Sequence, residues 1–284
     1  MGKTLVVDTS TGGLDYYPFQ HDIEILRIKI YLNDKSYLDG LDLKADEFYE
    51  MLRKDPELVP KTSQPSIGEV MAFFESFYNQ GYDTFYVTTI SSLLSGTYNA
   101  ICLAKDELKD KMKIRVFDTH TVCFSEGLFA LEASKLIKEG KSFDEVDERL
   151  DLIKQNNTIF FAVDSLSYLV KNGRLSGAAA FVGKLFKIKP ILQVQSTGQI
   201  VSIEKIRNIK IALTSIVDKI LAYANGRPFD AYILYTGNPR LKEHFKEIIK
   251  TTLKLENLYE APQTPVVGAH IGPDVVGIGI MLKI

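Results

Sequence analysis

Hydroxyl side chains gather twice in the first hundred residues, at Lys61-Thr62-Ser63-Gln64-Pro65-Ser66 and at Ser91-Ser92-Leu93-Leu94-Ser95-Gly96-Thr97-Tyr98. Each cluster stands where an apolar-periodic stretch reads as the beginning of a helix. A helix start leaves backbone N–H groups unpaired at the positive end of a dipole, so hydroxyls placed there favour a carboxylate or phosphate. Two such starts brought together make a pocket for one anion. Ser66-Ile67-Gly68-Glu69 has the spacing of a capping box, which assigns Ser66 to the cap and leaves Thr62 and Ser63 upstream with hydroxyls the cap does not need. Ser95 reads as the N-cap of the second helix, and Gly96 beside it removes a side chain that would block a close approach.

The same residues have a second reading as catalysts. A Ser before Gly is a candidate nucleophile, and His270, in Val266-Val267-Gly268-Ala269-His270-Ile271-Gly272-Pro273, is a candidate base at what reads as a strand end followed by a turn. Against this, Leu93-Leu94-Ser95-Gly96-Thr97 lacks the first glycine of a nucleophile elbow. His21, His120 and His244 show no metal-ligand spacing with His270. Gly140-Lys141-Ser142 resembles the end of a phosphate loop, but Lys135 stands where its first glycine belongs, and a helix C-cap is the simpler reading. Gly277-Ile278-Gly279 lacks the third glycine of a dinucleotide site. Arg174, in Leu169-Val170-Lys171-Asn172-Gly173-Arg174-Leu175-Ser176, is able to hold an anion bidentately, and the small residues around it leave it free to reach outward; Lys171 fits a last helical turn.

These groups must be positioned by elements that the sequence also outlines. Short apolar runs alternate with amphipathic stretches, the pattern of an α/β sheet covered by helices. Strands are predicted at Leu5–Val7, Phe85–Thr89 and Arg115–Phe117, with helices over Ile67–Gln80 and Gly127–Glu139. After about Thr158 the texture changes. Strands are predicted at Phe160–Val163, Lys189–Val194, Ile200–Ile206, Ala231–Tyr235 and Val275–Ile284, and helices at Ser165–Lys171, Ile209–Ala224 and Pro239–Leu255. Turn signals at Asn172-Gly173, Thr197-Gly198, Asn225-Gly226 and Gly237-Asn238 separate them. This predicts two α/β domains, 1–158 and 159–284.

Composition limits the partners. The 284 residues carry 34 basic and 36 acidic side chains, a net charge of -2, so no global field draws the chain to nucleic acid or an anionic membrane. Cys102 and Cys123 are the only cysteines, neither a disulfide framework nor a metal set, and a reducing cytoplasm is the expected compartment. The N-terminal run Leu5-Val6-Val7 is too short for a signal peptide, and no segment reaches the roughly 18 apolar residues of a membrane span.

Taken in order, several segments resemble the DegV family of bacterial fatty-acid-binding proteins. They are Val7-Asp8-Thr9-Ser10, Thr62–Gly68, Ser91–Ala100, Phe117-Asp118-Thr119, Val163-Asp164-Ser165-Leu166, Lys171–Ser176, Lys187-Ile188-Lys189-Pro190-Ile191-Leu192 and Gly268–Pro273. The resemblance runs from end to end. It implies two α/β domains with one long-chain fatty acid buried between them as ligand and no other cofactor or metal. It also implies a carboxylate held by Thr62 and Ser95 with His270 close by, and no catalytic residue on this chain. Ser63, Ser92, Gly96 and Arg174 become headgroup neighbours, and Arg174 with Lys171 faces a partner. In that family the partner is a separate ATP-binding subunit of a fatty acid kinase, which converts the bound acid to an acyl phosphate for phospholipid synthesis. Two alternatives stand beside this: a serine hydrolase or acyltransferase using Ser95 and His270, and a lipid carrier without a kinase. The chain departs from the family at Ser92-Leu93-Leu94-Ser95, where a glycine is usual, and at Gly12-Gly13 after the first strand. Small residues such as Ala178–Ala180 are candidates for the tunnel wall.

Overall fold

Leu5 and Val7 point to one side of the first strand and Val6 to the other, and all three are buried, which is the mark of a parallel strand covered on both faces. The computed structural model describes residues 2–177, 188–255 and 258–284. The elements up to residue 155 are β1 (Lys3–Thr9), β2 (Glu24–Leu26), β3 (Lys29–Leu32), β4 (Lys35–Leu38), α1 (Ala45–Lys54), β5 (Lys61–Ser63), α2 (Ile67–Tyr78), β6 (Tyr82–Thr89), α3 (Thr97–Leu108), β7 (Lys113–Asp118), α4 (Phe124–Lys138) and α5 (Phe143–Gln155). There follow β8 (Asn157–Val163), α6 (Ser167–Lys171), β9 (Ile191–Val194), β10 (Ile200–Glu204), α7 (Ile209–Ala224), β11 (Phe229–Tyr235), α8 (Pro239–Leu253), β12 (Tyr259–Pro262), α9 (Pro265–Ile271) and β13 (Val275–Leu282).

The first sheet is parallel, in the order β2-β1-β6-β7. On one face Leu5 and Val7 pack with Phe85, Val87, Val70 and Phe74 of α2 and Ile101 of α3. On the other, Val6 and Tyr86 join Phe129 and Ala130 of α4 and Leu150 of α5. A small antiparallel sheet, β4-β3-β5, carries Thr62 opposite Ile30. The third sheet has six strands in the order β10-β9-β8-β13-β11-β12. Alternation along β8 sends Phe160 and Ala162 to a core with α7 and α8, and Ile159, Phe161 and Val163 to the core shared with the first half. The strands of the first two sheets all precede residue 119, and those of the third begin at Asn157, so that Asn157 and Thr158 already pair with β13.

Most of the expected elements are present with ends moved by a few residues. Three differences follow, the first two at the site. His270 does not end a strand: Pro at the first helical position and a following Gly272 at φ +88 bracket a short helix, α9. The N-cap of α3 is Gly96, with Ser95 one residue earlier accepting from the Thr97 N–H at 3.3 Å. Ser142 begins a helix and is not merely the tail of a C-cap, since its side chain and that of Glu145 close a capping box at the start of α5. Ala178–Ala180 and Lys187 lie outside the described residues.

Candidate functional site

Two hydroxyl segments and a helix end converge. Strand β5 sets Thr62 toward α9, where Thr62 Oγ1 lies 2.7 Å from His270 Nε2. Alternation along the strand turns Ser63 the other way, and its Oγ meets the Tyr31 hydroxyl at 3.2 Å. Ser95 sits at the carboxyl end of β6, where parallel sheets bind ligands, and its Oγ contacts Thr97 Oγ1 at 2.8 Å. Gln64 bridges the two segments, its carboxamide packed against Gly96 where a Cβ would otherwise sit. Ser92 is held through its backbone N–H by Asp118, at 3.2 and 3.3 Å, and its side chain does not line the site.

Arg174 does not reach outward. Its Nε donates to Leu94 O at 3.2 Å and its terminal nitrogen to Asn172 O, so the guanidinium turns back against the Leu94-Ser95 loop. Lys171, at the end of α6, is exposed and has no ion pair among the described residues. Asn172 donates to Ala269 O at 3.3 Å, tying this turn to α9.

Behind the polar groups lies a largely apolar cavity with about 840 Å³ of atom-free space, a figure that includes its opening to solvent. Thr62, Gln64, Ser95, Gly96, Arg174 and His270 line it at the polar end. Ile90 and Leu94 beyond the end of β6, Phe161, Val194 and Ile200 of the six-stranded sheet, and Val267 of α9 supply apolar wall. Burial, with the Arg174 charge adding to it, lowers His270 to about 4, so the imidazole is neutral at neutral pH. Its Nδ1 is buried and has no partner among the described residues.

Sequence reasoning did not single out a pair of buried carboxylates, one of them bonded to the cavity-lining Thr11. Asp8 and Glu126 are both fully buried, and burial pushes Asp8 up to about 7 and Glu126 well above the usual carboxylate range. Thr88 donates to Asp8 Oδ1 at 2.8 Å, and Thr9 and Thr11 donate to Glu126. The visible signal was Asp8-Thr9-Ser10-Thr11, a carboxylate and three hydroxyls at the end of an otherwise apolar strand. Asp39, also buried and raised to about 7 by desolvation, accepts from the Val266 N–H at 3.1 Å and anchors the start of α9. Among the described residues no group of three or more His, Cys, Asp or Glu is placed to hold a metal, and no helix is long and apolar enough to cross a membrane.

An α/β protein with a largely apolar cavity bordered by hydroxyls and a neutral imidazole offers a site suited to an apolar molecule that carries a polar group. Residues 4–283 match the model of the DegV family, described as an uncharacterised protein family, and the chain belongs to that family. A DegV domain-containing protein of Clostridium acetobutylicum is 30% identical over 284 residues, the whole of both chains. The crystal structure of DegV from Bacillus subtilis, a fatty acid binding protein, superposes with a TM-score of 0.86 at 31% identity over 100% of both chains. A stearic acid-binding protein from Eubacterium ventriosum gives 0.86 at 27% identity over 99% of each chain.

Proposed function

We propose that the protein binds a long-chain fatty acid in this cavity and presents its carboxylate to a separate ATP-dependent kinase subunit for conversion to an acyl phosphate. The observation that carries the reading is the 2.7 Å pair of Thr62 Oγ1 and His270 Nε2 at the polar end of an apolar cavity. With its hydrogen on Nε2, the neutral imidazole donates to Thr62 and leaves the Thr62 hydroxyl hydrogen for the ligand. The carboxylate then receives Thr62 and Ser95, with the Gln64 amide and the Arg174 guanidinium in the same wall. The likeness to fatty-acid-binding DegV structures supports the same reading.

The energetics follow from the two ends. About fourteen methylenes at ~0.8 kcal/mol each give on the order of 11 kcal/mol of transfer free energy before ligand entropy is lost. An unpaired carboxylate would cancel much of it, so the head groups fix orientation while the tail supplies affinity. For phosphoryl transfer the carboxylate is its own nucleophile, and this chain needs to supply only position and charge. We assign the headgroup contacts to Thr62, Ser95 and His270, and the partner-facing charge to Lys171, with Arg174 joining the two. The halves 1–158 and 159–284 are read as the two domains that close on the acid.

The hydrolase alternative is disfavoured by geometry. His270 Nε2 is bonded to Thr62, and Ser95 Oγ to Thr97, so no nucleophile–base pair is made. Native mass spectrometry of the purified protein, followed by extraction of the ligand, tests the reading. A stoichiometric fatty acid is the expected result; a protein that neither retains nor takes up such acids would overturn it.

A further inference from the structure

The cavity lining also takes in residues from the turn after β1 and from the start of α4. His270 stands at the C-terminal end of α9, and Val266 and Val267 line the cavity one turn earlier, so the space runs along this helix for at least about 6 Å at 1.5 Å per residue. At the N-terminal end of α9 stands Thr264, against the turn that follows β1: a Cβ on Gly13 would lie 3.7 Å from Thr264 Cγ2. The same turn abuts the start of α4, where a Cβ on Gly127 would come within 2.6 Å of Gly12 O. Thr11 from the turn and Cys123 from the N-cap of α4 both line the cavity there.

Neither residue is free to yield. Thr11 Oγ1 lies 2.9 and 2.7 Å from the two Glu126 oxygens and 2.7 Å from Thr9 Oγ1, beside Gly12, where a Cβ would meet Asp8 Oδ2. Cys123 is buried at φ +63, a backbone conformation that glycine adopts without strain and other residues do not. A side chain kept at a strained position inside a cavity points to a task in that cavity.

We propose that Thr11 and Cys123 form the closed end of the acyl tunnel and set the chain length it accepts. The inference rests on the fatty-acid reading above and deepens it. Each further methylene buried in the tunnel raises affinity about fourfold. Once the terminal methyl meets Thr11 and Cys123, one more must either disturb a packed, hydrogen-bonded floor or lift the carboxylate from Thr62. Affinity therefore climbs with length and then breaks off sharply.

The test uses the full chain stripped of lipid and a ladder of saturated straight-chain acids from dodecanoic to eicosanoic, in competition, with occupancy read by native mass spectrometry. Cys123→Gly removes two heavy atoms and relieves the strained backbone, so the optimum should move longer by about two methylenes. Thr11→Ser keeps the hydroxyl on Glu126 and deletes a methyl, for a shift of about one methylene. Cys123→Leu should shorten the optimum, and thermal melts report whether it folds. An unchanged optimum in both Cys123→Gly and Thr11→Ser, with the wild type binding the ladder, overturns the assignment of the floor and leaves fatty-acid binding intact. A wild type that binds no member of the ladder overturns the fatty-acid reading and this inference with it.

Discussion

Thr62 and His270 are 208 positions apart in the chain, yet Thr62 Oγ1 and His270 Nε2 meet at 2.7 Å. One comes from the edge of a small antiparallel sheet and the other from the last turn of α9. The pair joins the two halves of the molecule at the point where the apolar cavity becomes polar. Burial keeps the imidazole neutral, so it acts as a hydrogen-bonding group and not as a fixed charge.

Removing the hydroxyls at this point should weaken binding without unfolding the protein. Thr62→Val deletes a donor to the ligand and strands His270 Nε2, and Ser95→Ala deletes the second donor. A hydrogen bond to a charged group contributes about 1.5–3 kcal/mol, so each substitution should lower fatty-acid affinity roughly 10- to 100-fold. Thr62→Ser should stay near the wild type. Displacement of a fluorescent fatty acid measures this, and wild-type affinity in Thr62→Val would remove Thr62 from the site.

Stability should fall as pH rises from about 4 to about 7. Asp8 and Asp39 are buried in protonated form, with folded values of about 7 against 3.8 for the free side chain. Below about pH 4 both states hold the proton and the full stability is present; as pH rises the unfolded chain releases it first, and the contribution is lost by the time the folded value is passed. His270 works in the opposite sense. Its folded value is depressed to about 4 from 6.5, so its contribution is present above 6.5 and lost as pH falls through 4. Asp39→Asn keeps an acceptor for the Val266 N–H and removes one titration. In lipid-free protein its melting temperature should fall less steeply than that of the wild type between pH 4 and 7. Parallel profiles would mean that Asp39 does not titrate there.

Arg174 lines the cavity, and Lys171, three residues earlier, is on the surface. The guanidinium is bonded to Leu94 O and Asn172 O, while Lys171 is exposed. Arg174→Ala should therefore disturb the headgroup loop and lower both acid binding and acyl-phosphate formation. Lys171→Glu should leave acid affinity unchanged and slow acyl-phosphate formation with the kinase subunit, with a smaller effect at high salt. Binding titration beside a coupled assay of product separates the two. Equal loss in both assays for Lys171→Glu would end its partner-facing role.

What was legible in the sequence followed from period and local chemistry. The apolar runs of β1 and β8, the helix over α2 and the Ser66 capping box are local patterns, and they read correctly. α5 was equally visible, since Ser142-Phe143-Asp144-Glu145 repeats the Ser66-to-Glu69 spacing, but Gly140-Lys141-Ser142 reads by itself only as the C-cap of the preceding helix, which Gly140 at φ +82 does follow. α9 was hidden because Val266-Val267 favours a strand by itself. Pro265 at its first position and Gly272 after it are local signals that bracket a helix, and Asp39 on the Val266 N–H is the tertiary anchor that spacing does not show. The small sheet β4-β3-β5 joins strands of three or four residues, too short for a period to show. For the same reason Thr62 was recognisable as an available hydroxyl, but its contact with His270 was not readable from spacing. The buried Asp8 and Glu126 pair 118 positions apart was likewise invisible as a pair, because nothing local announces a carboxylate that must stay protonated.

The turn between β9 and β10 should matter to binding although it touches no polar headgroup. Gly198 has φ +88 and donates to Gln195 O at 2.8 Å, and its own carbonyl accepts from Ser91 Oγ at 3.0 Å. A Cβ there would fall 2.2 Å from Ser91 Oγ and 3.2 Å from the His120 Cα. On the strands that flank this turn, Val194 and Ile200 line the cavity. Gly198→Ala therefore sets a strained backbone and a clash against the contact that holds this wall to the first half. It should cost on the order of 1–3 kcal/mol of stability and loosen acid binding by faster dissociation. Ser91→Gly in the same chain removes the clashing side chain and should recover part of the loss. Chemical denaturation and stopped-flow release of a fluorescent acid measure both effects, and a Gly198→Ala protein with wild-type stability would show that the turn has room to move away from Ser91.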